Sequence, residues 1–348
     1  MKKTKVAVGM SGGVDSSAAA LLLKEEGYEV IGITMDFWEG ANLSGAFGDA
    51  ARVAQKIGIP HYVIDFRQEF KDTVIKYFIE EYEKGRTPNP CVMCNRFIKW
   101  EALLKYANEL GASKIATGHY ARIERLESTG RFAIRMSDAK SKDQTYVLYR
   151  LTQEQLASTL MPLGFLTKDE VRHIAEGIDL KVSEKSDSQE ICFIPGNDYA
   201  GYIKENSGSS YDEGNFIDPA GNILGRHKGI INYTVGQRKG LGMSFGRPMY
   251  VKEIDAGKNR VVLSGNEDLF SSRLLAGNLN FVSKASLDGE ERVFAKIRYS
   301  HKKAPAAIKM NSDGIIECVF DEPQRAVTPG QAAVFYKDGY VLCGGTIL

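Results

Sequence analysis

Short apolar runs alternate with stretches of helical spacing along the N-terminal part of the chain. The apolar runs predict strands at Val6–Met10, Val30–Met35, Tyr62–Asp65 and Lys114–Thr117. The segments between them carry apolar residues at helical spacing and predict helices at Ser16–Glu26, Phe47–Ile57, Glu69–Glu83 and Phe97–Leu110. Strands that alternate with helices in this way indicate an α/β domain, built on a doubly wound and mostly parallel sheet.

From about Tyr211 the pattern changes to runs of β-branched and aromatic residues separated by glycine-rich turns. A small β domain is predicted from the runs Ile230–Val235, Met249–Ile254 and Arg260–Leu263. A C-terminal β-barrel is predicted from the runs Leu274–Phe281, Arg292–Tyr299, Ile315–Val319, Gln331–Tyr336 and Tyr340–Leu342. We therefore divide the chain into an α/β domain, a small central β domain and a barrel, at residues 1–205, 206–267 and 268–348.

The composition is that of a water-soluble protein with two or three domains, because 43% of the 348 residues are hydrophobic and 26% are charged. The longest apolar runs fall short of the roughly 18 residues that cross a bilayer, so we expect no membrane contact. Five cysteines, an odd count, do not indicate a disulfide framework and suit a reducing, cytoplasmic location. Because the net charge of the protein is only +1, it would bind nucleic acid only through local basic patches.

The stretch GMSGGVDSS, from Gly9 to Ser17, lies between the first predicted strand and the first predicted helix. Its glycines let the backbone approach an anion, and the helix offers unpaired N–H groups and a positive dipole end. A Walker loop ends in Lys-Ser or Lys-Thr, whereas Val14-Asp15-Ser16 stands here, which favours chemistry at an α-phosphate with pyrophosphate as the leaving group. A glycine-rich turn with a helix cap is the alternative. Parallel strands end at one edge, so Met35-Asp36 and Gly118-His119 are expected to share this pocket.

Two cysteines, Cys91 and Cys94, lie between a proline-rich loop and a helix, and Cys192 follows a polar stretch. A structural zinc site usually needs four ligands, and the sequence offers no second pair of this kind. A thioredoxin-like redox motif would follow a strand, and the proline-rich loop before Cys91 offers none. Cys318 and Cys343 lie in apolar strand patterns and are expected to be buried structural residues.

These stretches together resemble known enzymes. The glycine-rich loop resembles the pyrophosphatase loop of adenylating ATPases, which include GMP synthetase, argininosuccinate synthetase and the tRNA thiolases. The whole chain resembles the tRNA-specific 2-thiouridylases (MnmA/TrmU family), through stretches that follow in order: GMSGGVDSS, TPNPCVMCN, ATGHYAR, SKDQTYVLY, SDSQEICFIPG, GQRKGLG, AKIRYSHKKAP and PGQAAVFY. The resemblance implies an adenine nucleotide hydrolase-like catalytic domain that binds ATP and a barrel that contacts tRNA.

The activity implied by this resemblance is ATP-dependent 2-thiolation of the wobble uridine of tRNA. The uracil C2 carbonyl oxygen would be adenylated, ATP giving AMP and pyrophosphate, and sulfur would displace AMP. Cys192 resembles the persulfide carrier, loaded by a sulfur-relay donor protein, and Cys94 the thiol that attacks the persulfide, leaving a Cys94–Cys192 disulfide bond. Lys99 is a nearby lysine that would lower thiol pKa values, although a solvated helix-face residue is the simpler interpretation.

The family match also implies binding residues. For ATP with Mg²⁺ they are Gly9, Met10, Ser11, Gly12, Gly13, Val14, Asp15, Ser16, Met35 and Gly118. For the target base they are Asn89, Pro90 and Cys91, and for the rest of the tRNA His119, Lys142, Asp143, Gln144, Arg298, Tyr299 and Gln331. The alternatives are structural: a helix N-terminal carboxylate for Asp15, a core histidine for His119 and solvated faces for the basic clusters at Arg238-Lys239 and from Arg298 to Lys303.

One position departs from the commoner family pattern, since many members carry aspartate where this chain has Cys91. Cys91, Cys94 and Cys192 are therefore candidate ligands of a [4Fe–4S] cluster with one open iron, a rival mechanism for the same overall reaction. Two other function classes also remain open. One is a small-molecule adenylating ligase of the GMP synthetase type, and the other is a non-catalytic nucleotide- or RNA-binding protein.

Overall fold

The structure is a computed structural model that describes residues 3–38, 43–177 and 191–348. Its strands, in chain order, are β1 Lys5–Gly9, β2 Glu29–Asp36, β3 His61–Asp65, β4 Lys114–Ala116, β5 Ala121–Arg125, β6 Phe132–Met136, β7 Thr159–Leu160, β8 Gly214–Ile217, β9 Ile223–His227, β10 Tyr250–Asp255, β11 Arg260–Ser264, β12 Phe270–Phe281, β13 Glu291–Lys296, β14 Ala304–Met310, β15 Ile316–Arg325, β16 Ala332–Lys337 and β17 Tyr340–Ile347. Its α-helices are α1 Val14–Glu25, α2 Leu43–Ile57, α3 Arg67–Phe70, α4 Lys76–Glu83, α5 Pro90–Met93, α6 Leu103–Glu109, α7 Gln153–Ala157, α8 Lys168–Glu176 and α9 Tyr199–Ser207.

A parallel sheet in the order β3-β2-β1-β4-β7 forms the N-terminal domain. Strand β1 is central, and its residues Val6, Ala7 and Val8 are fully buried because helices cover both faces of the sheet. The four strands predicted in this region are present within two residues of their expected ends, and the α/β fold class is confirmed. Because all these strands are parallel, their carboxyl ends meet at one edge, which is where ligands of such sheets bind.

Two long helices of this domain contain π-helical stretches. Helix α3 continues through Lys71–Ile75 into α4, and helix α5 continues through Cys94–Ala102 into α6. The second helix was predicted to start at Phe97 but starts at Pro90, since proline is well accommodated in the first helical turn. Cys91 and Cys94 therefore lie on this helix rather than in the loop before it.

The C-terminal barrel is confirmed: β12, β15, β14, β13, β16 and β17 pair in that order, and β12–β17 pairing closes the ring. The hairpin β5–β6, which comes from the N-terminal domain, extends this sheet through pairing of Arg135 with Tyr340. A separate sheet in the order β10-β11-β8-β9 forms the central domain. In the described ranges, no helix is long and apolar enough to cross a membrane.

One predicted strand, Ile230–Val235, is wrong. Ile230–Asn232 forms a 3₁₀ turn, and the glycines on either side, Gly229 and Gly236, have φ angles of 94° and 89°. Buried Ile231 packs in one cluster with Phe78 and Tyr82 of α4, so its apolar character serves contact with the N-terminal domain and not strand pairing.

Candidate functional site

The phosphate-loop candidate joins β1 to α1 and is held by its own hydroxyl groups. The backbone N–H of Ser11 donates to Ser16 Oγ at 3.2 Å, and Ser16 Oγ and Ser17 Oγ donate to the carbonyl of Gly13 at 3.2 and 2.7 Å. Gly12 has a φ angle of 72°, and a Cβ there would lie 2.6 Å from the carbonyl oxygen of Ala46, so only glycine fits. Gly13 is the N-cap and has no side chain to cap the helix, so the first-turn N–H groups can bind an anion.

The predicted neighbours of this loop lie against it. A Cβ on Gly118 would be 2.7 Å from the backbone N of Ser16, so the turn after β4 touches the start of α1 directly. A Cβ on Gly9 would be 3.4 Å from the terminal methyl of Met35, and the Met10 carbonyl accepts a hydrogen bond of 2.9 Å from Thr34 Oγ1. The structure thus brings these strand ends together, while ATP binding by them stays a prediction.

Asp15 forms an ion pair that the sequence did not indicate. Lys168 Nζ on α8 lies 2.7 and 2.8 Å from the two carboxylate oxygens, and the hydroxyl of Tyr120 donates to one of them at 2.8 Å. The only local signal is the capping box of Thr167 and Glu170, which starts α8 just before Lys168 but says nothing about its partner. Both carboxylate oxygens of Asp15 therefore have hydrogen-bond donors in this structure.

Mg²⁺ prefers oxygen ligands, and Asp15 with the hydroxyl groups of Ser11 and Ser16 provides them. The donor chemistry of this turn therefore fits the ion. Because Lys168 contacts both carboxylate oxygens, Mg²⁺ binding at Asp15 would require the ammonium group to move.

The three candidate cysteines, Cys91, Cys94 and Cys192, are free thiols, and the charge of one would affect the pKa of another. Burial raises the pKa of Cys94 to about 12 and the pKa of Cys192 to about 11, and it also raises the pKa of Cys91. A thiolate at Cys91 would raise the pKa of both others, whereas the positive charge of Lys99 lowers all three pKa values. Part of Cys91 and of Cys192 faces solvent. A raised pKa disfavours the thiolate, so attack by sulfur needs a local base or a more acidic sulfur species.

The cysteine site does not match the predicted metal alternative. Among the residues that the structure describes, no group of three or more His, Cys, Asp or Glu side chains is placed to hold a metal ion. Cys91, Cys94 and Cys192 therefore do not fit a [4Fe–4S] cluster in this arrangement. The part of the Cys192 stretch that precedes Ile191 lies outside the described residues.

The loop that precedes Cys91 is clamped by the barrel. Thr87 N–H donates to the Pro329 carbonyl at 2.8 Å, and the side-chain amide of Gln331 donates to the carbonyls of Thr87 and Pro88 at 2.9 and 3.2 Å. Asn89 and Pro90 follow immediately and start helix α5. Gln331, implied as a tRNA contact, therefore fixes the position of the segment implied to contact the base.

Two other implied tRNA residues also have structural partners. Half-buried Arg298 donates from Nη2 to the carbonyls of Val235 and Ala326 at 3.2 and 2.8 Å, and also to the Thr328 hydroxyl, which links the central domain to the barrel. His119 is buried against Trp100, with ring centroids 5.4 Å apart, and burial holds its pKa well below the usual range. The contacts of His119 are those of the core alternative, whereas Arg298 is half-buried and does not lie on a solvated face. Contact of either residue with tRNA stays a prediction.

The remaining implied tRNA residues are Lys142, Asp143, Gln144 and Tyr299. Gln144 Oε1 accepts from the Tyr120 N–H at 2.9 Å, and Asp143 accepts from the Thr145 hydroxyl at 2.7 Å, which anchors the loop that carries Lys142. Tyr299 is 46% exposed, and Lys296 Nζ lies 5.3 Å from the centre of its ring. An exposed aromatic ring beside a lysine is suited to stacking on a base next to a phosphate.

Comparison with known proteins agrees with this architecture. Family models match in succession: the tRNA methyl transferase HUP domain at residues 4–196, the tRNA methyl transferase PRC-barrel domain at 200–265 and the aminomethyltransferase beta-barrel domain at 271–347. Our division at residues 205 and 267 stays a prediction. The U34-tRNA thiolase NcsA from Methanococcus maripaludis with its [4Fe-4S] cluster aligns at 21% identity with a TM-score of 0.38, covering 60% of this chain and 65% of that one, which supports no functional inference.

Relatives match over nearly the whole length. A tRNA-specific 2-thiouridylase MnmA of Lachnoclostridium phytofermentans is 54% identical over 99% of both chains. Another from Clostridioides difficile is 53% identical over 99% of this chain and 98% of its own. Identity at this level over three successive domains is specific to one family. The chain therefore belongs to the MnmA family of tRNA-specific 2-thiouridylases.

Proposed function

We propose that the protein is a tRNA-uridine 2-sulfurtransferase that uses ATP to thiolate the wobble uridine. The observation that carries this proposal is the turn Thr117–His119, because this turn lies between the phosphate loop and the three cysteine thiols. Gly118 lies against the lysine-free phosphate loop, and the charge of Lys99 acts both on the neighbouring His119 and on the three thiols. An adenylating loop and a set of sulfur nucleophiles are what activation and thiolation of one carbonyl require.

The phosphate loop would bind ATP so that its α-phosphate faces the target base. The first-turn N–H groups of α1 and the dipole of that helix stabilise the phosphate charges. The uracil C2 oxygen attacks the α-phosphorus, the bond to the β-phosphate oxygen breaks, and pyrophosphate leaves. Mg²⁺, held by Asp15 when bound, would neutralise charge on the leaving group. The product is an O2-adenylated uridine from which AMP can depart.

Sulfur transfer would use Cys192 and Cys94. A persulfide donor protein passes its outer sulfur to Cys192, giving a Cys192 persulfide. The Cys94 thiolate then attacks the inner sulfur, so that a Cys94–Cys192 disulfide forms and hydrosulfide leaves. Hydrosulfide attacks C2 of the adenylated uracil, AMP leaves with the oxygen, and 2-thiouridine remains. A dithiol reductant must return the disulfide to two thiols before the next cycle.

The deciding experiment measures ATP products with and without the tRNA substrate. We expect AMP and pyrophosphate to form in step with 2-thiouridine, measured by mass spectrometry of tRNA nucleosides, and to require tRNA that carries a wobble uridine. Pyrophosphate release driven by a small molecule without tRNA would indicate a ligase instead. ADP and phosphate as products would contradict the interpretation of the loop that lacks lysine.

A further inference from the structure

Asp36 is a buried carboxylate with an unused acceptor atom. It is the last residue of β2, directly after Met35, and only 9% of its surface is exposed. In the described part of the chain, Asp36 Oδ1 has no hydrogen-bond partner, while Oδ2 lies 3.6 Å from Nε of Arg67. Burial raises the pKa of Asp36, and the positive charge of Arg67 opposes this only in part. A buried oxygen without a donor costs free energy, so it marks a place where a ligand can supply the donor.

The Asp36 side chain lies on the face of β2 that contacts the phosphate loop. Side chains two residues apart in a strand point to the same face of the sheet, so Asp36 shares its face with Thr34. The Thr34 hydroxyl donates to the carbonyl of Met10 at 2.9 Å, and Met10 is the first residue after β1, at the start of the phosphate loop. Asp36 therefore follows, on the same face, the residue that ties β2 to this loop.

The covalent structure of ATP indicates which part of the nucleotide reaches this carboxylate. The family match implies that Met35 helps to hold the adenosine part and that the loop binds the phosphates. Because the ribose links the base to the phosphates, it lies between these two contacts, and Asp36 adjoins the first and faces the side of the second. In dinucleotide-binding parallel sheets, a carboxylate about 20 residues after the glycine-rich loop likewise accepts a hydrogen bond from a ribose hydroxyl.

We infer that Asp36 accepts a hydrogen bond from a ribose hydroxyl group of the bound nucleotide, and so makes the site select ATP over its deoxy analogues. This inference rests on the proposed use of ATP and names the residue that recognises the sugar. The 2′- or 3′-hydroxyl would donate to Oδ1, while Arg67 stays beside Oδ2. An analogue that lacks this hydroxyl would leave the buried oxygen unpaired, and a site built to bond a hydroxyl rejects such an analogue strongly.

The test compares the binding of ATP, 2′-deoxy-ATP and 3′-deoxy-ATP to the full chain by calorimetry, at one fixed Mg²⁺ concentration. We expect the wild type to bind ATP at least about tenfold more tightly than one of the two analogues, because the acceptor is charged. In Asp36→Ala this preference should disappear. Since all three nucleotides carry the same triphosphate, a change in phosphate or Mg²⁺ binding would alter their affinities together and leave the ratio unchanged.

Asp65→Ala is the matched control, because Asp65 also pairs with Arg67 but is exposed at the end of β3. It should keep the wild-type preference for ATP. A preference that survives in Asp36→Ala would overturn the inference, and so would a wild type that binds ATP and both analogues equally.

Asp36→Asn keeps the shape of the side chain and serves if Asp36→Ala does not fold. Its amide oxygen is a neutral and weaker acceptor, so the preference for ATP should fall below that of the wild type, and an unchanged preference would contradict the inference. A wild-type protein that binds no ATP at all would instead refute the proposed function, and the inference with it.

Discussion

Substitution of Gly330 should test whether the barrel positions the segment from Asn89 to Cys94. Gly330 has a φ angle of 90°, and a Cβ there would lie 2.9 Å from the backbone N and 3.0 Å from the carbonyl oxygen of Thr87. These are backbone atoms that cannot rotate away, and the Thr87 N–H already donates to the Pro329 carbonyl at 2.8 Å. Gly330→Ala should therefore push the clamped loop away from the barrel by a few tenths of an ångström.

Gly339 provides a matched control, because it has a φ angle of 83° but no atom within 4 Å of the Cβ position. The left-handed backbone should cost about 1–2 kcal/mol of unfolding free energy in both alanine variants. Overpacking should add about 1–3 kcal/mol at Gly330 alone. Chemical denaturation measures both values.

The displaced loop should also slow the reaction. A displacement of catalytic groups by about 1 Å costs up to about 100-fold in rate, so a shift of a few tenths of an ångström in Gly330→Ala should lower the single-turnover thiolation rate about fourfold. ATP affinity should stay at the wild-type value, because the phosphate loop is on another segment. Equal thiolation rates in Gly330→Ala and Gly339→Ala, both folded, would refute the idea that the clamp positions the site.

Further predictions concern the thiols and the RNA surface. Cys192→Ser should abolish 2-thiouridine formation but leave ATP binding and tRNA adenylation intact, and normal thiolation would contradict its role as carrier. Because the pKa of Cys94 is raised to about 12, its alkylation rate should rise about tenfold per unit between about pH 7 and 9, and a plateau near pH 8.5 would contradict this. Cys91→Asp should keep most activity if the disulfide route holds. Loss of both activity and iron in this variant, with about four irons per chain in an anaerobic preparation of the wild-type protein, would favour the cluster. Exposed Lys302→Ala should lower the salt dependence of tRNA binding by about one unit of slope, while Arg298→Ala should mainly lower the unfolding free energy; the opposite result would assign phosphate contact to Arg298.

Local patterns in the sequence predicted the N-terminal sheet correctly because buried parallel strands are continuous apolar runs. Four strands, the glycine-rich loop after β1 and most strands of the barrel follow from such runs and from the turns between them. The prediction failed at Ile230–Val235, where the apolar residues are buried against another domain without pairing as a strand. Periodicity reports which side chains are buried and does not identify the partner that buries them.

The hairpin β5–β6 also shows that a local pattern does not identify the partner of a strand, here a partner in another domain. Its residues precede the central domain in the chain, yet β6 pairs with β17 of the barrel. Strand pairing between segments about 200 residues apart depends on how the domains dock, and no local pattern encodes it.

The sequence by itself determined the residue types of the site: a loop shaped for phosphate without a lysine, and cysteines placed on two separate segments. Only the tertiary structure decided which residues act together. Lys168 reaches Asp15 across 153 positions, and Gln331 reaches Thr87 across 244. Glycine-rich turns and helix starts form from neighbouring residues, so their chemistry is visible in order along the chain. Ion pairs and clamps between distant segments form only when helix and barrel packing brings their backbones within reach of one side chain.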